Sequence, residues 1–269
     1  MTALAVIRPA SSTVTQWWVL TVRLIVPMLR NGEILVAIAA SAAVTVSFYT
    51  TLHKVLAGPD LQTSSYGQYL MPLIVLQAMS FASVSTAFRA ATDSVKGINR
   101  RFHALPIRFL SPLSARLSAS MCRSAIGLAI ALACGYVIGF RFYRGPLETA
   151  GFCFLVLLTA LALALFADAI GTSSLNPGAA AQWLFLPQLI LGLLSVGLQP
   201  ADRYPEWIQP LVRDQPVSQL IYALQALAGD NIPHARSVTW AVTGPALAWL
   251  IAGFIATLPP AVVVYRRRI

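Results

Sequence analysis

Enzymatic chemistry needs nucleophiles, acids, bases or metal ligands at fixed spacing, and this 269-residue sequence offers few. Its only lysines are Lys54, which follows His53, and Lys96, which follows Val95. Neither stands in the Gly-Lys-Ser/Thr setting by which a P-loop holds phosphates, so the chain is not expected to hydrolyse ATP itself. HExxH, CxxC and GxSxG do not occur. His53, His103 and His234 are isolated and read as solvated loop residues. Cys122, Cys134 and Cys153 fall in apolar segments without metal-ligand spacing and read as small buried hydrophobes. No metal or cofactor is expected on this chain.

What remains is electrostatic. Residues 91–108, ATDSVKGINRRFHALPIR, set Lys96, Arg100, Arg101 and Arg108 against one acid, Asp93. The stretch lies between two long apolar segments, and short basic loops of this kind stay on the cytoplasmic side. Residues 93–103 can form one short amphipathic helix, with Val95, Ile98 and Phe102 near one face, a docking surface for a cytosolic partner. A second set lies deeper. Arg116 and Arg123 are one heptad apart on one helix face, and Asp168 sits about 31 Å along another apolar segment. Either Asp168 pairs with Arg123 or Arg116, or it is wetted at a helix end. Ser80, Ser83, Ser85 and Thr86 form a ladder beside Met79, Phe81 and Phe88. Hydroxyls in membrane helices usually bond backbone or neighbours. An intramembrane enzyme or ion-coupled carrier would need clustered ionisable groups at depth.

The elements that position these residues follow from composition. The chain is 57% hydrophobic and 10% charged, against about 25% charged in soluble domains, and its mean hydropathy is +0.71. Apolar runs of 18 or more residues recur, so the fold class is an all-α, polytopic membrane protein. Six spans are expected at residues 34–52, 66–90, 112–140, 147–170, 181–198 and 238–264. Residues 13–32, with Trp17, Trp18 and an interrupting Arg23, read as an amphipathic helix lying in the interface; the other reading is a seventh span. The third span is longer than the membrane needs and is expected to project below it. Residues 199–237 read as an external re-entrant or interface-lying hairpin. Thirteen Lys/Arg then fall inside and six outside, with both termini and the basic loop cytoplasmic in the inner membrane. The net charge of +10 is read as cytoplasmic loops and anionic lipid contacts rather than nucleic-acid binding.

Two segments carry a family resemblance. Lys96-Gly97-Ile98-Asn99-Arg100-Arg101-Phe102-His103-Ala104-Leu105-Pro106-Ile107 resembles the KGxxxRFxxLP segment of daunorubicin-resistance-type permeases. Gln215-Pro216-Val217-Ser218 with Ala223-Leu224-Gln225-Ala226-Leu227 resembles their (N/Q)P-(V/I)(S/T) and ALRAL segment, with Gln225 where Arg is usual. With GQYLMPLIVLQAMSF, FRAATDS and CGYVIGFRF, the chain is identified as a type-2 ABC exporter permease, nearest the mycobacterial members. The resemblance implies an N-terminal interfacial helix, six spans, a coupling helix after span 2 and an external hairpin before span 6. It implies two copies of a cytosolic ATPase, which would bind the ATP and Mg, and a second, non-identical permease. Coupling would use Asp93, Lys96, Gly97, Arg100, Arg101, Phe102, Leu105 and Pro106, with Phe102 and Leu105 filling a groove on the ATPase. Spans 1, 2 and 5 would line the path, making Phe48, Phe81 and Phe88 candidates, unless these are packing or lipid-facing residues. The cargo implied is a long apolar lipid of the phthiocerol dimycocerosate kind; the alternatives are anthracycline or multidrug efflux and a non-transporting membrane scaffold.

Overall fold

The computed structural model describes residues 12–30, 32, 65–98, 101, 110–232 and 236–267. The expected first span at 34–52, Phe48, and Arg100, Phe102, Leu105 and Pro106 lie outside them. Eight α-helices carry the described chain: α1 (Thr13–Arg30), α2 (Tyr66–Val95), α3 (Ser111–Val137), α4 (Pro146–Ser173), α5 (Pro177–Leu193), α6 (Gln209–Asp214), α7 (Pro216–Ala228) and α8 (Trp240–Arg267), with a 3₁₀ turn at Ala201–Arg203. α2, α3, α4 and residues Trp240–Pro259 of α8 are long and apolar enough to cross a membrane. α5 has 17 residues; at 1.5 Å each it reaches roughly 25 Å, short of a 30 Å core.

α2 is the shared member, packing against α3, α4, α5 and α7. Every residue from Tyr66 to Gln77 is buried. Ser65 starts the helix, its hydroxyl accepting the Gln68 N–H at 3.1 Å and satisfying one of the open donors of the first turn. α4 lies close against the other half of α2. A Cβ on Gly171 would overlap the Ala87 carbonyl and the Ala90 methyl, so only glycine lets the two backbones approach this far. α8 packs on α4 and α7, and α1 lies along α3. α1 buries Thr21 and Met28 but leaves Trp18 exposed, and its Trp17 donates Nε1–H to Ser118 Oγ at 3.0 Å.

One end of the bundle is aromatic. Phe140, Phe142 and Phe152 meet edge to face, with centroids 5.0 Å apart for Phe140–Phe142 and 5.3 Å for Phe142–Phe152, an arrangement the ring quadrupoles favour. The opposite end carries residues 93–98 and Arg101 and is basic.

Several boundaries differ from expectation. α2 does not stop at Ala90 but runs to Val95, so 93–103 is not one helix. Gly97 breaks it at φ +66°, a left-handed conformation that favours glycine. A new turn follows, with Arg101 N–H donating to the Gly97 carbonyl at 3.2 Å. α5 begins and ends earlier than 181–198. Asn176 Oδ1 accepts N–H groups of Gly178 and Ala179 at 3.0 and 3.2 Å, and Pro177 takes the first helical position. α3 ends at Val137 instead of 140, α4 extends to Ser173, and α8 starts at Trp240.

Candidate functional site

The basic end holds a charge network inside the bundle. Arg116 on α3 places Nε 2.8 Å from Asp168 Oδ1 on α4, and Nη1 3.8 Å from Asp93 Oδ2 on α2. Asp168 is fully buried and Arg116 is 7% exposed. Three helices are thus joined through one guanidinium, close to the end of α2. Ser94 adds a neutral tie, its hydroxyl donating to the Thr172 carbonyl at 3.2 Å.

Of the two arginines that share a face of α3, Arg123 does not pair with Asp168. It turns to α2 and donates Nη1–H to Ser85 Oγ at 2.7 Å and Thr86 Oγ1 at 3.4 Å. Thr86 also meets Ser120 Oγ at 2.9 Å, and Gln188 of α5 donates to Ser83 Oγ at 3.0 Å. The hydroxyl ladder therefore joins helices rather than forming a catalytic centre.

Of the expected coupling residues, Lys96 and Arg101 are exposed, as is Val95, and Gly97 is half-buried. Asp93 differs from them: its carboxylate is turned toward Arg116, inside the bundle. Of the path candidates, Phe81 and Phe88 are 39% and 49% exposed on α2. They are seven residues apart and so share a face. Phe81 also lies 6.0 Å from the Phe185 ring of α5.

The aromatic end holds a second polar set whose connections were not visible in the sequence. Gln215, in the hairpin motif, donates its amide to the carbonyls of Leu194 at 2.6 Å and Leu191 at 3.2 Å. These carbonyls end α5 and have no further helical turn to bond. Ser218 accepts the Val196 N–H at 3.2 Å, and the Tyr69 hydroxyl donates to the Val196 carbonyl. Gln68 donates to the carbonyls of Gly229 at 2.7 Å and Arg141 at 3.0 Å and accepts the Arg141 N–H at 3.0 Å. Polar residues inside the apolar start of α2 were the available signal for Gln68 and Tyr69, since buried polar groups need partners.

This arrangement is a helical membrane bundle with a charged, exposed break on one end and, among the described residues, no group of side chains that could hold a metal ion. Residues 23–261 match the ABC-2 family transporter protein family. The chain belongs to that family. It is 45% identical over 262 residues, 96% of this chain and 91% of the relative, to the doxorubicin resistance ABC transporter permease protein DrrB of Mycobacterium tuberculosis. It is 27% identical to the probable doxorubicin resistance ABC transporter permease protein DrrC of the same organism, over 82% of this chain and 76% of the relative. It is 25% identical to the daunorubicin resistance ABC transporter permease protein DrrB1 of Streptomyces coeruleorubidus, over 74% and 68%. The chain is accordingly the multi-pass membrane component of an ABC transporter, not its ATPase, and membership implies a separate ATPase partner.

Proposed function

We propose that this chain is one permease subunit of an ATP-driven exporter of hydrophobic cargo, working beside a second, non-identical permease and two copies of a cytosolic ATPase. The observation that carries the reading is the 45% identity, spread over 96% of the chain, to a permease named for doxorubicin resistance. Efflux of an anthracycline-like drug is therefore the leading cargo assignment. The similarity to the protein named DrrC supports a paralogous second permease.

In this reading the basic end faces the cytoplasm of an inner-membrane protein, with both termini on that side. ATP and Mg stay on the partner. The segment after Gly97 docks in the ATPase, with Arg100 and Arg101 meeting acids at its rim, Phe102 and Leu105 its apolar floor, and Lys96 just before the joint. Pro106 ends that segment. Gly97 is the joint between the docked segment and α2, and Asp93–Arg116–Asp168 spreads the displacement of α2 to α3 and α4. Phe48, Phe81 and Phe88 flank the path.

Export of a long apolar lipid of the phthiocerol dimycocerosate kind is the second reading. What favours it is the sideways exposure of Phe81 and Phe88, which offers an apolar flank to a chain lying in the bilayer. Co-expression with the partner subunits, followed by doxorubicin accumulation in cells and a lipid profile of the envelope, separates the two. Lower drug accumulation that depends on the ATPase supports efflux. An altered lipid profile with unchanged drug accumulation supports lipid export. Purification of the chain without any ATPase, under conditions that hold known complexes together, would leave a scaffold as the better reading.

A further inference from the structure

Among the described residues, the basic half of the bundle carries Arg89, Arg116 and Arg123 against Asp93 and Asp168. Arg116 lies between both aspartates, and Arg89 sits one turn before Asp93 on α2. Among the described residues Arg123 is left with hydroxyls: Nη1 donates to Ser85 and Thr86, Nε is buried with no hydrogen-bond partner, and no described carboxylate is paired with it. A cation in an apolar bundle without a counter-charge costs about 2.5–3.5 kcal/mol at the membrane centre, so its depth and surroundings matter.

The depth follows from α2. Ser85 is nineteen residues along from Tyr66, the first residue of the helix, so it lies roughly 28 Å from the aromatic end. That is the far boundary of a 30 Å hydrocarbon core, where phosphate groups begin. Phe88 (49% exposed) is one turn from Ser85, and Phe81 (39% exposed) is one turn back toward the core. Positions 81, 85, 88 and 89 share one side of α2. An arginine at phosphate level thus stands beside an open apolar stripe that runs into the core.

We propose that Arg123, with Ser85 and Arg89, binds the phosphate of an anionic glycerophospholipid in the leaflet at the basic end, one acyl chain running into the core along Phe81. Arginine suits this role, because its fork bonds phosphate oxygens while Nη1 keeps its hydroxyl partners. The bound lipid supplies the missing negative charge and fixes the height of α2 and α3 relative to the membrane. The site needs only a membrane-embedded bundle; it shares Phe81 with the flank of the cargo path proposed above, and the naming of the leaflet as inner rests on the orientation proposed there.

The test is native mass spectrometry of the purified transporter complex from nanodiscs of equal phosphatidylglycerol and phosphatidylcholine. Wild type should keep phosphatidylglycerol through detergent exchange. Arg123→Gln should lower that retention about fivefold, the ratio corresponding to about 1 kcal/mol per basic group at the surface, with Arg123→Lys in between. Replacing Arg266, Arg267 and Arg268 with glutamine is the control and should leave the bound lipid in place. Equal retention by Arg123→Gln and wild type would overturn the proposal, as would displacement by inorganic phosphate alone, which would make the site a simple anion site. Restoration of the Arg123→Glu complex by a compensating basic residue in the second permease would also overturn it, because the counter-charge would then be protein. Loss of the ATPase from the complex bears on the permease reading and is scored separately from lipid retention.

Discussion

Arg116 and Asp168 allow a test in which the two partners give unequal answers. Replacing Arg116 with Met removes the cation from a fully buried Asp168 and from Asp93 3.8 Å away. Breaking a buried pair from one side costs about 3–5 kcal/mol, because the remaining charge is desolvated without its partner. Asp168→Asn is milder. Arg116 keeps Asp93, and a neutral amide stands where the carboxylate was, so the loss should be about 1–3 kcal/mol. The double variant Arg116→Met/Asp168→Asn removes the buried opposing charges together and should recover much of what Arg116→Met loses. The assay is reversible unfolding in mixed micelles, read as a double-mutant cycle, with transport per ATP hydrolysed measured on the same proteins. The stability order expected is wild type, Asp168→Asn, the double variant, then Arg116→Met. If Arg116→Met were no worse than Asp168→Asn, or the double variant fell below both by their sum, the network would not be a charge-balanced strut.

Three further outcomes are expected. Gly97→Ala places a side chain at φ +66° with nothing within 4 Å of its Cβ, so the loss is backbone strain of about 1–2 kcal/mol; ATPase co-purification should survive while transport per ATP falls, and unchanged coupling would refute Gly97 as the joint. Gln215→Leu strips the amide from the Leu191 and Leu194 carbonyls and should cost about 1–3 kcal/mol, seen as faster proteolysis of the 195–208 connection; equal protection would show that the cap is dispensable. Spin-label pairs read by pulsed electron resonance across the transport cycle should change distance more between the aromatic ends of α2 and α7 than between the basic ends of α2 and α4, and the reverse order would refute the placement of the pivot.

The sequence made the long apolar helices legible, because hydropathy over 18 residues is insensitive to small shifts in boundary. It also placed an Asp opposite two arginines one heptad apart. It could not choose between them, since Arg116 and Arg123 share a helix face; the choice depends on Asp93 standing beside one and the Ser85–Thr86 hydroxyls beside the other. The end of α5 was equally hidden. LLSVGL continues the apolar run past Leu193, and the helix stops there through connections made from 21 and 22 residues away by Gln215 and Ser218. The basic segment was legible as a charged break between apolar helices, but its first residues belong to α2. No hydrophobic period marks that join, only a glycine whose φ sign the sequence does not state.

The two ends of the bundle are tied by different chemistry, and this decides which can open. At the aromatic end the buried ties are neutral: Gln68 to Gly229 and Arg141, Tyr69 to Val196, Gln215 to the end of α5; beside them Arg144 donates to the Arg236 carbonyl at 3.0 Å on the exposed rim and Arg236 lies over the Tyr222 ring. Each such bond is worth about 0.5–1.5 kcal/mol net, and its groups can find water or one another when it breaks. At the basic end a fully buried carboxylate faces a guanidinium, and separating them leaves two desolvated charges at about 3–5 kcal/mol. The same end has Gly171 against the Ala87 carbonyl, so α2 and α4 can rotate about that contact but have no room to slide together. A displacement entering at Gly97 therefore meets a stiff joint first and soft ones last. Motion collects where the ties are weakest, at the end remote from Gly97, which in the docking and orientation proposed above is the side where cargo would leave.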